Sequence, residues 1–527
     1  MNGFPAAFSP VLILALLFGA APFPAHGAAI AEPGWQALLD GHHDLAEEQL
    51  AACLEEHPDD LDCAIGRAAL AEARGDFDLA LASLAGALRS RADTPMAAAA
   101  LARILVLASR STDGGLGVRS LLEAIVDGQT PTRDPEVRSL ALLGLADVLA
   151  RSEQPLLAYR RLVESGGRVE SWTLLGPYGR IPSLALDQSF PPDSGDLDPT
   201  DESGPGNLPP RRLDVSFADG RVVLPYPLRE GAASYALTDL TLATKSTVRV
   251  RVDANTSFEV FIDGQPVARV DRWRKRPPHA IALEARFEPG RHRLMIKLAT
   301  APSMGPVAVT LETISGPPPQ PVPVAAALEG RVRVAPMPVQ TDAAFSGVLP
   351  PSPARFMAAA WWLKARGLDR EVGAMLQVAN ERWPDAALFT LALGEFFFKA
   401  ETGAAPAEDL ARGRTLIEQA LEADPELLIA RLLLAQMDRG AGRTDQARRA
   451  AEQALEHSPD HPDALLLLYQ LAMERQWYTE AEDLITRARL ASPVRGDLLD
   501  AEISYWRARG NADRLHALLE RSFARHP

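Results

Sequence analysis

Hydrophobic positions follow two different periods along this 527-residue chain. From about Ala28 to Ser165, and again from Ser352 to the C-terminus, apolar residues return every three to four positions, the spacing of a helix buried on one face. Between about Val169 and Ile314 that period gives way to alternation. In Thr247–Asp253, apolar Val248, Val250 and Val252 alternate with Arg249 and Arg251, which predicts a half-buried antiparallel strand. The same rule predicts strands at Ser171–Leu175, Leu213–Phe217, Arg221–Leu224, Ser234–Leu242 and Phe258–Ile262, then Ala280–Phe287, Arg291–Leu298 and Val307–Ile314. Asp263-Gly264 turns Phe258–Ile262 into Pro266–Val270, and Pro289-Gly290 turns the chain between two further strands. Short strands joined by such turns predict a β-sandwich. A weaker strand at Arg331–Val334 either completes that sandwich or belongs to a linker.

In the helical stretches the punctuation is itself periodic: Pro425, Pro459, Pro493 and Pro527 recur every 34 residues. Within Leu428–Pro459, Ala435, Ala447 and Ala454 fall where two antiparallel helices must approach closely, Gly442 falls at their turn, and Pro459 stops the second helix. The next unit repeats the offsets with Ala481, Ala488 and Pro493. These positions resemble the tetratricopeptide repeat (TPR) family, which implies stacked helix-turn-helix units forming an α-solenoid. Ser352–Pro384 keeps the frame through Ala360, Gly367 and Ala379, Glu401–Ala407 reads as an extra turn, and Gly496–Pro527 reads as a terminal cap. Near the N-terminus, Gly41, Ala46, Cys53 and Pro58 form one unit, and Ala68, Gly75, Ala80 and Ala87 the next. Helical stretches at Met96–Ser109, Leu116–Val126, Pro135–Ala150 and Pro155–Ser165 read as degenerate repeats. In the family, the first helix of each unit lines a concave groove that holds peptide segments. The resemblance places Trp361 and Lys364, then Leu432, Gln436 and Arg439, then Leu466, Gln470 and Glu474 on that surface. The Lys/Asn pattern by which some TPR domains clamp a terminal carboxylate is absent, since Leu and Gln hold the matching positions.

A second resemblance lies in the alternating region. Phe258–Val267 (FEVFIDGQPV) and Phe287–Lys297 (FEPGRHRLMIK) look like the jelly-roll modules of the galactose-binding-like and PA14-like group. Trp172–Tyr178 (WTLLGPY) with Phe190–Asp193 (FPPD) resembles the "W-x-x-x-G-P-F … P-P-E" segment of bacterial exported proteins that join TPRs, such a sandwich, and often a DUF3857 plus transglutaminase-like domain. Tyr178 for Phe and Asp193 for Glu are mild departures. The large departure is that no Cys follows Cys63, so a Cys-His-Asp transglutaminase site lacks its nucleophile and that enzymatic part is expected to be absent. The chain also has no phosphate-cradling Gly-rich loop, no His-Glu-x-x-His and no Gly-x-Ser-x-Gly. No enzyme activity, cofactor or metal is therefore expected. Asp193–Glu202, threaded with Pro and Gly, reads as a mobile loop.

Composition narrows the function further. A formal net charge of −15 leaves too little basic surface for general nucleic-acid binding, and 47% hydrophobic with 23% charged residues is globular. Against that acidic whole, Lys245–Lys297 holds twelve Lys/Arg and six Asp/Glu. Arg272, Trp273 and Arg274 there form a candidate contact for a glycan or anionic polymer, or a solvated loop with Trp273 packed down. The N-terminus carries a short apolar run, Val11–Leu17, followed by Pro22, Pro24 and cleavage-like triplets at Ala25–Gly27 and Gly27–Ala29. No Lys or Arg precedes the run, yet a secretory signal is the better reading, and no later run reaches membrane-spanning length. A soluble periplasmic or secreted protein is expected.

Cys53 falls late in one predicted second helix and Cys63 opens the next first helix. Such helices touch, so the pair forms either a disulfide, worth about 2–3 kcal/mol on the loop-entropy argument, or two small buried thiols. His42 and His43 lie at a predicted turn, where solvent exposure is the default. The organisation expected is an α + β multidomain chain, with TPR α-solenoid blocks flanking a central antiparallel, jelly-roll-like β-sandwich. Its parts are a signal peptide (1–27), TPR-like repeats (28–165), a galactose-binding-like sandwich (166–316), a Pro-rich linker (317–351) and C-terminal TPR repeats (352–527). The function expected is a non-catalytic extracytoplasmic scaffold holding protein partners in TPR grooves; the alternative is glycan or anionic-polymer binding by the sandwich.

Overall fold

The computed structural model describes residues 28–90, 92–94, 96–132, 134–151, 169–197, 210–216, 221–254, 256–271, 280–300, 304–305, 307–317, 319–324, 332–335, 352–365, 369–399 and 407–525. Along the chain, helical blocks flank a central antiparallel β region, and the two kinds of structure form separate compact units. The sequence-predicted signal at 1–27, the Trp273 loop and helix Pro155–Ser165 lie outside the described residues.

The helical unit begins with α1 (Ala28–Leu39), α2 (His43–Glu56), α3 (Leu61–Ala73), α4 (Phe77–Leu88), α5 (Ala97–Ala108), α6 (Arg119–Val126) and α7 (Pro135–Arg151). It resumes with α8 (Pro353–Ala365), α9 (Asp369–Arg382), α10 (Ala387–Lys399), α11 (Ala407–Ala423), α12 (Leu428–Gly440) and α13 (Thr444–His457). The last four are α14 (Pro462–Glu474), α15 (Tyr478–Ala491), α16 (Gly496–Ala508) and α17 (Ala512–Arg525). Consecutive helices pack as hairpins, and the small residues sit at their crossings: Ala435, Ala447, Ala454, Ala481 and Ala488 are wholly buried. Asp60 and Asp76 cap α3 and α4 by accepting from Cys63 N and Leu79 N, each at 2.9 Å. Gly75 and Gly442 close their hairpins at φ of +86° and +74°, a left-handed conformation that suits glycine.

The two helical halves are distant in sequence yet pack first helix to first helix. α8 lies against α3 and α5, and α10 and α12 also touch α3. The insert therefore interrupts one helical assembly rather than separating two. This contact determines which part of the predicted groove stays open.

The sheet unit is a sandwich. Its strands are β1 (Ser171–Tyr178), β2 (Arg211–Ser216), β3 (Arg221–Val222), β4 (Ala233–Leu242), β5 (Ser246–Asp253) and β6 (Phe258–Ile262). They continue with β7 (Gln265–Val270), β8 (Ala280–Phe287), β9 (Gly290–Ala299), β10 (Val307–Ser315), β11 (Gln320–Val322) and β12 (Val332–Ala335). One sheet runs β2-β1-β4-β9-β6-β7 with β11 also on β4; the other runs β12-β8-β5-β10-β3. All pairings are antiparallel. Val248, Val250 and Val252 pack into the core with Phe258, Val260, Ile296 and Val309, as the alternation requires. Their neighbour Arg249 pairs with Glu284 on β8 at 3.3 Å.

Two readings of the sequence change here. The stretch 317–351, expected as a linker, supplies β11 to β4, and of the two readings of the weaker strand at Arg331–Val334 the first holds, since β12 pairs with β8. Pro321 has no N–H to donate, which confines such a strand to a short edge pairing. The start of the expected mobile loop is also fixed, because Asp193 accepts from Lys297 Nζ at 2.6 Å and from Tyr235 Oη at 2.9 Å.

Candidate functional site

The seam between the helical halves is built from charged side chains. Asp463, in the first turn of α14, pairs with Arg110 beyond α5 and with Arg495 before α16, the latter at 2.6 Å. Arg495 also donates to Asp497 at 3.1 and 2.6 Å. Burial pushes the Asp463 carboxyl upward, but Arg110, Arg495 and the His461 ring outweigh it and hold the group far below the usual carboxylate range. The Arg110 guanidinium lies 3.9 Å from the centre of the Phe77 ring, and Phe77 meets the His461 ring at 5.8 Å. Further along, His43 is buried and lies 3.1 Å from Asp424, while Arg74 reaches Glu426 at 2.9 Å. His43 was expected in solvent at a turn; it opens α2 instead and is covered by the opposite half.

Beside this charged line a cavity of about 500 Å³ remains open. Leu466, Leu467 and Val494 give it apolar surface, Gln436 and Gln470 give it amides, and Ser109, Arg110 and Gly114 form the side contributed by the N-terminal half. The close approach there is tight: a Cβ on Gly114 would stand 2.7 Å from Val494.

The predicted groove residues divide between open and covered positions. Gln436 is exposed, Leu466 and Gln470 are half-buried, and all three line the cavity. Arg439 joins them at the rim, donating to Gln470 and, at 2.7 Å, to Glu474. Leu432 belongs to the core. Trp361 is only 7% exposed and faces Arg103 of α5, whose guanidinium lies 5.3 Å from the ring centre. Arg103 is in turn held by Glu72, and Lys364 pairs with Glu395 at 3.4 Å beside a smaller cavity of about 130 Å³. The chain's own N-terminal helices thus occupy the position where a partner at Trp361 was expected. Cys53 and Cys63 are joined as a disulfide. Arg272, Trp273 and Arg274 lie outside the described residues.

Sequence reasoning missed Arg110, Asp463 and Arg495. One signal was available: Asp463 and Asp497 occupy the same place in consecutive units, 34 residues apart. Nothing local announced Arg110, whose partner comes from the far half of the chain.

The sheet unit explains its own motifs. His292, from the Pro-Gly-Arg-His segment, bridges Asp263 and the Glu288 carbonyl, each at 2.8 Å, so it ties the Asp263-Gly264 hairpin to the Pro289-Gly290 turn. Burial works against its protonation, but those acceptors win and raise its pKa. The Trp172 indole donates to the Val169 carbonyl at 2.9 Å. Tyr178 meets Phe190 at a tilt and Tyr235 edge-on, both at 5.6 Å. Together with Asp193, these contacts strap residues 186–194 over the outer face of the larger sheet. Arg269 completes the strap by donating to the Leu186 carbonyl at 2.8 Å and to Asp187 at 2.6 Å.

The tetratricopeptide repeat family matches residues 438–499, which includes the apolar floor of the cavity together with Asp463, Gln470 and Arg495. No curated protein matches the chain. Among the described residues, no helix is long and apolar enough to cross a membrane.

Proposed function

We propose that the protein is a non-catalytic extracytoplasmic scaffold that docks a protein partner at the seam of its helical unit. One observation carries this reading. Two expected groove amides, Gln470 inside the region matching a repeat family suited to protein contacts and Gln436 just before it, line an open cavity, while neighbouring groove positions are filled by the chain itself. The charged residues around that cavity engage one another in ion pairs, an arrangement suited to recognition rather than proton transfer. The apolar run Val11–Leu17 and the bonded cysteines both favour an exported protein.

Site-specific photocrosslinking in cells tests the reading. A photoreactive residue in place of Gln436 should capture a defined partner identifiable by mass spectrometry, whereas one at exposed Arg449, on the second helix of the same hairpin, should not. Equal capture from both positions, or none from either, overturns docking at the seam. Export is tested separately by fusing residues 1–40 to a reporter active only outside the cytoplasm.

A further inference from the structure

We infer that the seam cavity selects a short, extended, uncharged peptide segment anchored by one aliphatic side chain, gripped by both helical halves at once. This rests on the scaffold reading and specifies the ligand of the same site. Four ionised groups line the cavity, and they compensate one another: Asp463 lies between Arg110 and Arg495, and Asp497 receives two hydrogens of Arg495. A carboxylate or ammonium entering here would lose water and find no uncommitted countercharge. What remains for a ligand is the apolar surface of Leu466, Leu467 and Val494, which suits a branched aliphatic side chain.

The rim adds main-chain recognition. Gln436 and Gln470 stand at the same position of successive units, 34 residues apart, and each side-chain amide carries donors and an acceptor. Arg439 holds Gln470 by its oxygen, leaving the amide hydrogens for a carbonyl. An extended backbone presents N–H and C=O groups at regular intervals and so matches such a pair whatever its side chains. About 500 Å³ falls within the range of ligand cavities (roughly 300–1,000 Å³). Because Ser109, Arg110 and Gly114 form the opposing wall, the occupant touches both halves and favours the closed seam.

The test is selection of a displayed random heptapeptide library on the full chain, followed by fluorescence anisotropy on synthesised winners. The expected winners carry Leu, Ile or Val at one fixed position with no charge beside it. Binding should fall at least tenfold in Leu466→Asp and in Gln436→Glu, two variants whose unfolding midpoints are checked against the parent. Winners should also raise the parent's unfolding midpoint. Winners anchored by Asp, Glu, Lys or Arg, yet still lost in Leu466→Asp, would overturn the ligand chemistry while leaving the scaffold reading intact. Winners indifferent to both substitutions would place peptide binding elsewhere and overturn the inference alone. No winners, combined with no crosslinked partner from Gln436, would overturn both.

Discussion

Lys297 lies on β9, inside the larger sheet, with its side chain 2% exposed, and its ammonium donates to the Gln188 carbonyl and to Asp193, both at 2.6 Å. A buried ammonium is tolerated only while such partners replace its water. Asp193 also receives the Tyr235 hydroxyl, so one carboxylate satisfies two polar groups of the sheet face and fixes the strap above them. Burial first, and Asp193 second, push the Tyr235 hydroxyl well above its ordinary range, which keeps it a donor at any physiological pH. Asp193→Asn removes the countercharge and leaves Lys297 in place. It should cost about 3–5 kcal/mol, the usual penalty for breaking a buried pair from one side. Lys297→Met alone should cost less, and the double variant should recover most of the loss in Asp193→Asn. Urea unfolding of the four proteins measures the cycle; additive losses would show that the two side chains act independently.

At the scale of elements, the α10/α11 hairpin is held by a glycine crossing. A Cβ on Gly394 would approach Ile417 Cγ1 to 2.7 Å, and one on Gly413 would stand 3.1 Å from both the Gly394 carbonyl and Phe397 Cβ. The close approach lets Ile417, which is wholly buried, pack against the backbone of α10. Gly394→Val should therefore overpack the hairpin and cost about 1–3 kcal/mol. Gly440→Ala, at the last turn of α12 with nothing within 4 Å of the new methyl, should be neutral or slightly stabilising. Thermal unfolding of both variants separates close packing from a general intolerance of glycine replacement. Elements of this kind were legible because their signals are local: periodicity placed the helices, and alternation placed Val248, Val250 and Val252 in the core. Gln320–Val322 was harder to read, since three residues beside prolines carry almost no period and its strand character comes from β4; Val332–Ala335 was legible as a weak strand, but only its pairing with β8 decides that it joins the sandwich. Gln476 shows the same limit. It adopts a φ of +60° one repeat after Gly442, held by a turn that neighbouring helices impose on a residue with no local preference for it.

For the helical unit as a whole, the decisive contact was invisible to local pattern. Trp361 and His43 looked like groove and turn residues because nothing near them in sequence reveals that α5 or Asp424 will cover them. The open cavity was half legible, through the family positions Gln436 and Gln470, while its other wall belongs to a distant part of the chain. That seam also contains two buried imidazoles. Burial lowers the pKa of His461 below 6.5, with Arg110 and Arg495 adding to the effect and Asp463 opposing it. Burial likewise lowers that of His43, with Asp424 opposing it. Both rings therefore bind a proton less readily in the folded chain than in the unfolded one. Stability is retained above the unfolded value near 6.5 and is lost as pH falls through it toward the lower folded values. Opening of the seam should accordingly become easier between pH 7.5 and 5.5. Hydrogen exchange at α3 and α12, which meet across the seam, should speed up over that window after correction for intrinsic rates. His461→Leu keeps an apolar group against Phe77 and removes one titrating ring, so it should flatten the pH response of these two helices. Since the chain has ten histidines, global unfolding alone would not assign the effect, whereas exchange reports on each helix. If His461→Leu and the parent lose the same protection at α3 and α12 on acidification, His461 does not contribute to the acid sensitivity of the closure. The loss of protection would then belong to another titrating group of the seam, such as His43 against Asp424.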